Sequence, residues 1–150
     1  MIHIIGQYIS QFGELWEKSL EQLLFEATEG AIKSAHLDPS DIDAVYVSNM
    51  AGGGFENQRH LNALVSSWFR NVGVKKTCPP SFRIEGACAS GSLAVLSAQH
   101  ALLSGEYQTV LVVGAEKMTD VSGGKSTEIW RAQLIFRENM EALFRHCMLC

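Results

Sequence analysis

The sequence predicts an α/β domain: a layered fold with a largely parallel or mixed sheet and helices on both faces. Two observations carry this. Short β-branched runs alternate along the chain with stretches whose apolar residues recur every three to four positions, the order of strand and helix that builds layered sheets. The runs "AVYVS" and "TVLVV" also lack polar alternation, as strands covered on both faces do.

The opening "MIHIIGQYIS" has the β-branched character of a first strand, interrupted at Gly6. A loop containing "QFGELWEK" follows. Ser19 then begins the capping box "SLEQ", after which Leu20, Leu23, Leu24, Ala27, Ala31, Ile32 and Ala35 form one helical face. "LDPSDID" is a turn around Pro39, "AVYVSN" a short buried strand, and Gly52, Gly53 and Gly54 a flexible or tightly packed turn. Leu61, Leu64, Val65, Trp68 and Phe69 define a second amphipathic helix, broken by "NVGVKK" and closed off by "CPP". A strand at about 81–85, a helix from Cys88 to about Ser104 ended by Gly105, and the strand "TVLVVG" complete the series. Beyond "EKMTDVSGGKS" the character changes: residues 130–150 hold three of the six arginines, two of the four cysteines and no glycine or proline. The expected organisation is a domain over residues 1–128 and an unrelated helical tail over 129–150.

Bulk properties narrow the function classes. A chain of 150 residues with 47% apolar and 19% charged content is one ordinary globular domain. A net charge of −4 with acids and bases interleaved leaves no basic stripe, so nucleic acid is not an expected partner. No apolar run approaches the roughly 20 residues that span a bilayer, and the N-terminus lacks the basic region and long apolar stretch of a signal peptide. No membrane association is expected, and the expected compartment is cytoplasmic. Cys78, Cys88, Cys147 and Cys150 are too few and too unevenly placed for a disulfide framework, so reduced thiols follow.

One cysteine has chemically suggestive surroundings. Cys88 lies in "EGACASG", directly after the strand-like "SFRI" and at the start of a helix, among Ala87, Ala89, Ser90 and Gly91. Helix starts carry N–H groups without intrahelical partners and the positive end of the dipole, both of which favour a thiolate, and small neighbours let a carbonyl approach. A dipole contribution of about 0.3–1 kcal/mol changes a thiolate population by less than tenfold, so a nucleophile also needs a base, usually histidine. The alternative is a packed structural thiol, since free cysteine is among the most buried residue types. Spacing alone leaves both readings open.

The other motifs carry less. Cys147 and Cys150 form a lone C-x-x-C with no second pair or histidine motif to complete a zinc site, and no metal is expected. His3, His60 and His100 fall within predicted elements, and His146 lies in the tail. "TDVSGGKST" imitates a phosphate-binding loop at Gly124, Lys125 and Ser126, but Thr119 stands where the first glycine is required, and the segment begins too far beyond the strand ending at Gly114.

Longer segments carry a resemblance. "IEGACASGSLAVLSAQHALLSGEYQTVLVVGAEKMTDVSGG" resembles the nucleophile region of thiolases, in particular the sterol-carrier-protein-type thiolases and acetyl-CoA acetyltransferases. "FGELWEKSL", "VYVSNMAGG" and "NQRHLNALV" resemble the family's first loop and helix, second strand and next helix, so the likeness covers about residues 2–128. It implies a thiolase-like fold, of which this would be the N-terminal half, and homo-oligomers, dimers or tetramers, in the full-length form. It also implies that Cys88 is the acyl-accepting nucleophile with its backbone N–H in an oxyanion hole, and that acyl-CoA and coenzyme A are substrates with no permanently bound cofactor. The family's second step uses a histidine of a Gly-His motif and a cysteine of a Cys-x-Gly motif, and neither segment occurs in this sequence. The expectation is therefore an acyltransferase described by its N-terminal half and incomplete for catalysis alone. The alternatives are a non-catalytic thiolase-like assembly subunit, or another condensing enzyme such as a hydroxymethylglutaryl-CoA or β-ketoacyl synthase. Translating the downstream DNA in all three forward frames separates these: Gly-His and Cys-x-Gly segments support the thiolase, and their absence the subunit.

Overall fold

The computed structural model describes residues 1–74 and 77–132, and the side chains of these up to residue 129. His146, Cys147 and Cys150 lie outside the described residues.

Helix α1 spans Leu20–Ser34 and starts as its sequence requires. The Ser19 Oγ accepts the Gln22 N–H at 3.2 Å, while the Gln22 side chain accepts the Ser19 N–H at 2.8 Å. A 3₁₀ turn at Pro39–Asp41, capped by Asp38, leads into strand β1, Ala44–Ser48. The glycine run is helical: α2 spans Gly52–Phe55. Helix α3 covers Leu61–Asn71 and is terminated two residues on by Gly73 in the left-handed region. Strand β2, Ser81–Ile84, is followed by a 3₁₀ turn at Ala87–Ala89, helix α4 over Ser90–Leu103, strand β3 over Val110–Gly114, and helix α5 over Gly123–Ala132.

The three strands form one sheet in the order β2-β1-β3, and both pairings are parallel. Helices α1 and α3 contact each other and the sheet, with Leu24, Leu61, Val65 and Phe69 clustered on Val45, Val47, Leu111 and Val113. Helix α4 contacts all three strands and buries Ala94 and Ala98. On alternation, Tyr46 and Phe82 face away from the Val45 and Val47 side, and their rings stack with centroids 5.1 Å apart.

Two further expectations are corrected. Residues 1–10 form no strand. They lie along α1, where a methyl group at Gly6 would come within 2.6 Å of Ala35 Cβ and one at Gly30 within 2.3 Å of the Tyr8 ring. The Gln7 N–H also donates to Ser34 Oγ at 3.2 Å. Paired glycines therefore make a close seat for this segment on the helix, and Ile4, Ile5 and Ile9 stay exposed. The second correction concerns Cys88, which is not in the first turn of α4. It sits in the 3₁₀ turn just before that helix, because Ala87 takes a left-handed φ of 47° and the regular helix begins only at Ser90.

Candidate active site at the strand ends

The carboxyl ends of β1 and β3 open into a cleft of about 480 Å³. In an open parallel sheet this is where diverging loops leave a crevice and where ligands bind, and the volume falls in the range of small-molecule sites. One wall comes from Ser48 at the end of β1 with Asn49 and Met50, Gly114 at the end of β3 with residues 115–119, Ala87 of the 3₁₀ turn, and Ser90 and Gly91 at the start of α4. Residues 8–13 and Leu15, with Leu23 and Ala27 of α1, make the other.

The strand-end wall is tied together across long sequence separations. The Asn49 Nδ2 donates to the Ala115 carbonyl at 2.7 Å, and its Oδ1 accepts the Gly52 N–H. The Glu116 carboxylate accepts the Met50 N–H at 2.6 Å and the Ala51 N–H at 3.3 Å. These bonds lock the loop after β1 onto the loop after β3. Burial raises the Glu116 carboxyl above the ordinary carboxylate range, with the two backbone N–H groups opposing that rise. Glu56 is raised as well, first by burial and then by the negative charge of Asp120. The buried Lys117 donates to Asp120 Oδ1 at 2.6 Å and holds that carboxyl below its usual range. Gly114 is required where it stands, since a methyl group there would come within 2.4 Å of Ser48 Oγ.

Cys88 is exposed, and its turn is clamped by one side chain. The buried Ser90 Oγ accepts the Gly86 N–H at 2.9 Å and donates to the Ala87 carbonyl at 2.7 Å. The Ala89 N–H closes the turn on the Gly86 carbonyl at 2.9 Å. A left-handed alanine costs on the order of 1–3 kcal/mol and persists only where its surroundings over-determine it, as Ser90 does here. A methyl group at Gly86 would come within 2.2 Å of Leu93 Cδ1 and would displace that side chain. A strand, a strained tight turn bearing the thiol and a following helix together leave Cys88 exposed just before α4.

Sequence reasoning singled out Cys88 and missed Asn49, Ser90 and Glu116. The signal available for Asn49 and Glu116 was position, since each lies within two residues of the carboxyl end of a legible strand. His3, His36, His60 and His100 are exposed, and no described histidine lines the cleft. Among the described residues no group of His, Cys, Asp and Glu is arranged to hold a metal ion. Gly124, Lys125 and Ser126 lie in the first turn of α5, ten to twelve residues beyond the end of β3. Among the described residues no helix is long and apolar enough to cross a membrane.

Three comparisons bear on this geometry. The family model for the thiolase N-terminal domain matches residues 2–149. An acetyl-CoA acetyltransferase of Methanocaldococcus jannaschii is 45% identical over 120 residues, covering 80% of this chain and 29% of that protein. The structure of an acetyl-CoA acetyltransferase from Syntrophomonas wolfei superposes with a TM-score of 0.59 at 24% identity, over 73% of this chain and 27% of that one. That of a 3-oxoacyl-[acyl-carrier-protein] synthase III from Aquifex aeolicus gives 0.56 at 24%, over 69% and 31%. The two structural likenesses bear on the fold alone. The chain spans about 30% of the length of the curated acetyltransferases it matches.

Proposed function

Because this chain belongs to the thiolase family through its N-terminal domain, we propose that it is the nucleophile-bearing part of an acyl-CoA acyltransferase in which Cys88 accepts the acyl group. The observation that carries the reading is the turn at Ala87–Ala89, which exposes one thiol between a strand and a helix beside the cleft. The Cys88 Sγ attacks the thioester carbonyl carbon, forming the new C–S bond. The bond to the coenzyme A sulfur then breaks, and the departing thiolate takes up the proton that Cys88 gave up. The exposed turn and the start of α4 offer backbone N–H groups, that of Cys88 among them, to the oxygen that becomes negative in between. Coenzyme A and acyl-CoA are substrates in this reading, with no permanent cofactor and a homo-oligomer as the working form. The acetyltransferase name of the relatives supports acetyl-CoA as one substrate. Residues 1–128 carry the reading, and 129–150 differ in arginine and cysteine content, while helix α5 and the family match both run across that boundary.

The test is incubation of the native protein with acetyl-CoA followed by peptide mass spectrometry. The expected result is one acetyl group on Cys88 as a thioester, lost in Cys88→Ala. Absence of any adduct on Cys88 refutes the reading.

A further inference from the structure

The wall of the cleft opposite the strand ends has its own construction. Its two ends are tied to a single carboxylate of α1: Tyr8 Oη donates to Glu26 Oε1 at 2.6 Å, and Lys18 Nζ donates to Glu26 Oε2 at 2.5 Å. At the first tie the Tyr8 ring lies on Gly30. Near the second, Lys117 Nζ stands 6.0 Å from the Trp16 ring centroid, a cation–π distance that joins this wall to the loop after β3. Between the ties the chain lines the cleft, with Ile9 74% and Phe12 86% exposed. Two large apolar side chains held in water beside a cleft gain when an apolar ligand covers them, in proportion to the area removed from water. The opposite wall mixes the polar Ser48, Asn49, Ser90, Glu116 and Thr119 with Met50, Ala87, Ala115 and Met118. Most polar side chains of the cleft therefore lie on the strand-end wall, which the Cys88 turn joins through Ala87, and its two most exposed apolar side chains lie on the strap.

We propose that residues 9–15 form the acyl-facing wall of this cleft, with Ile9 and Phe12 selecting the alkyl chain of the substrate and Glu26 as the positioning residue that holds them there. This rests on the reading of Cys88 as acyl acceptor. The thioester end lies toward the strand-end wall, and the alkyl chain runs across to the strap. An acetyl group offers only one methyl to that wall, so the strap discriminates among acyl lengths without being needed for the shortest.

The experiment compares acetyl-CoA with octanoyl-CoA on the native protein, reading acylation of Cys88 by mass spectrometry. Phe12→Ala, Ile9→Ala and Glu26→Gln are expected to lower the ratio of octanoyl to acetyl transfer on the order of 10-fold. Equal losses for both acyl groups, or no loss, overturn the proposal; equal loss is what mere unfolding produces. A second measurement separates it from the reading beneath it: calorimetric binding of octanoyl-CoA to Cys88→Ala, with and without Phe12→Ala. If wild-type Cys88 takes up neither acyl group, the nucleophile reading falls, and the strap is then judged on binding. Binding weakened on the order of 10-fold by Phe12→Ala supports it, and unchanged binding overturns it.

Discussion

The two faces of the sheet are covered in different ways. On one, α1 and α3 bring large side chains onto the strands, and Leu24, Leu61, Val65 and Phe69 are fully buried. On the other, α4 meets the sheet through Ala94 and Ala98 and leaves Leu93, Val95, Leu96 and Leu103 between 40% and 67% exposed. Helix α1 has a charged side and an apolar side, whereas α4 carries no acidic residue, lysine or arginine between Ser90 and Leu103. The first layer thus stores most of the hydrophobic stabilisation, while the second trades bulk for close approach. That approach serves the site, because α4 begins at the residue that clamps the Cys88 turn.

Truncation gives the largest contrast between the layers. Phe69→Ala is expected to cost about 3–5 kcal/mol, whereas Leu103→Ala, at an exposed position on α4, stays within about 0.5 kcal/mol. Urea denaturation midpoints check both, and similar losses would erase the distinction. Enlargement sharpens it from the other side. Ala94 is wholly buried against the sheet, so Ala94→Leu overpacks the interface and costs about 1–3 kcal/mol, read in the same way. Tolerance of that leucine would mean that α4 sits loosely.

The smallest expected effect is electrostatic and compares the cleft with the surface. Burial raises Glu116 above its unfolded value, so the folded protein holds its proton more tightly than the unfolded chain does. Its contribution to stability is full below the unfolded carboxylate range and declines as pH rises through the raised folded value. Glu26 has the opposite sign, since the hydrogen bonds from Lys18 and then Tyr8 lower it. The stability it contributes is present above the unfolded value and is lost as pH falls through the lowered one. Denaturation midpoints of wild type and Glu116→Gln, followed upward in pH from the ordinary carboxylate range, are expected to show a shallower decline in the variant. Identical slopes would remove Glu116 as a buried titrating group.

How much of this was legible in the sequence follows from the range of each signal. The start of α1 is written within four residues, Ser19 to Gln22, and the apolar spacing behind it needs no partner to be read. Strands β1 and β3 appear as uninterrupted β-branched runs close to their observed bounds. The N-terminal stretch failed because strand propensity is only half of a strand. Ile2, Ile4 and Ile5 have the right residue type, but Gly6 and Gly30 make a fit to α1 that only three-dimensional complementarity discloses. Cys88 was singled out by its small neighbours and the family resemblance, and its role as acyl acceptor is the proposal made above. Glu116 was not legible, because its role rests on N–H groups 65 and 66 residues away. Likewise, the strap is visible only once Tyr8 and Lys18 are seen to share one carboxylate.

The central claim is that the turn before α4 presents Cys88, and not merely a thiol, to an acyl thioester. Its most direct measurement is acetylation of the native protein by acetyl-CoA, followed separately at Cys88 and at the half-buried Cys78, in wild type and in Ser90→Ala. The account predicts acetylation confined to Cys88 and slowed on the order of 10-fold when the Ser90 clamp on its turn is removed, since nucleophiles displaced from their attack geometry lose rate steeply. Acetylation equal at the two cysteines, or no adduct on Cys88, would contradict it.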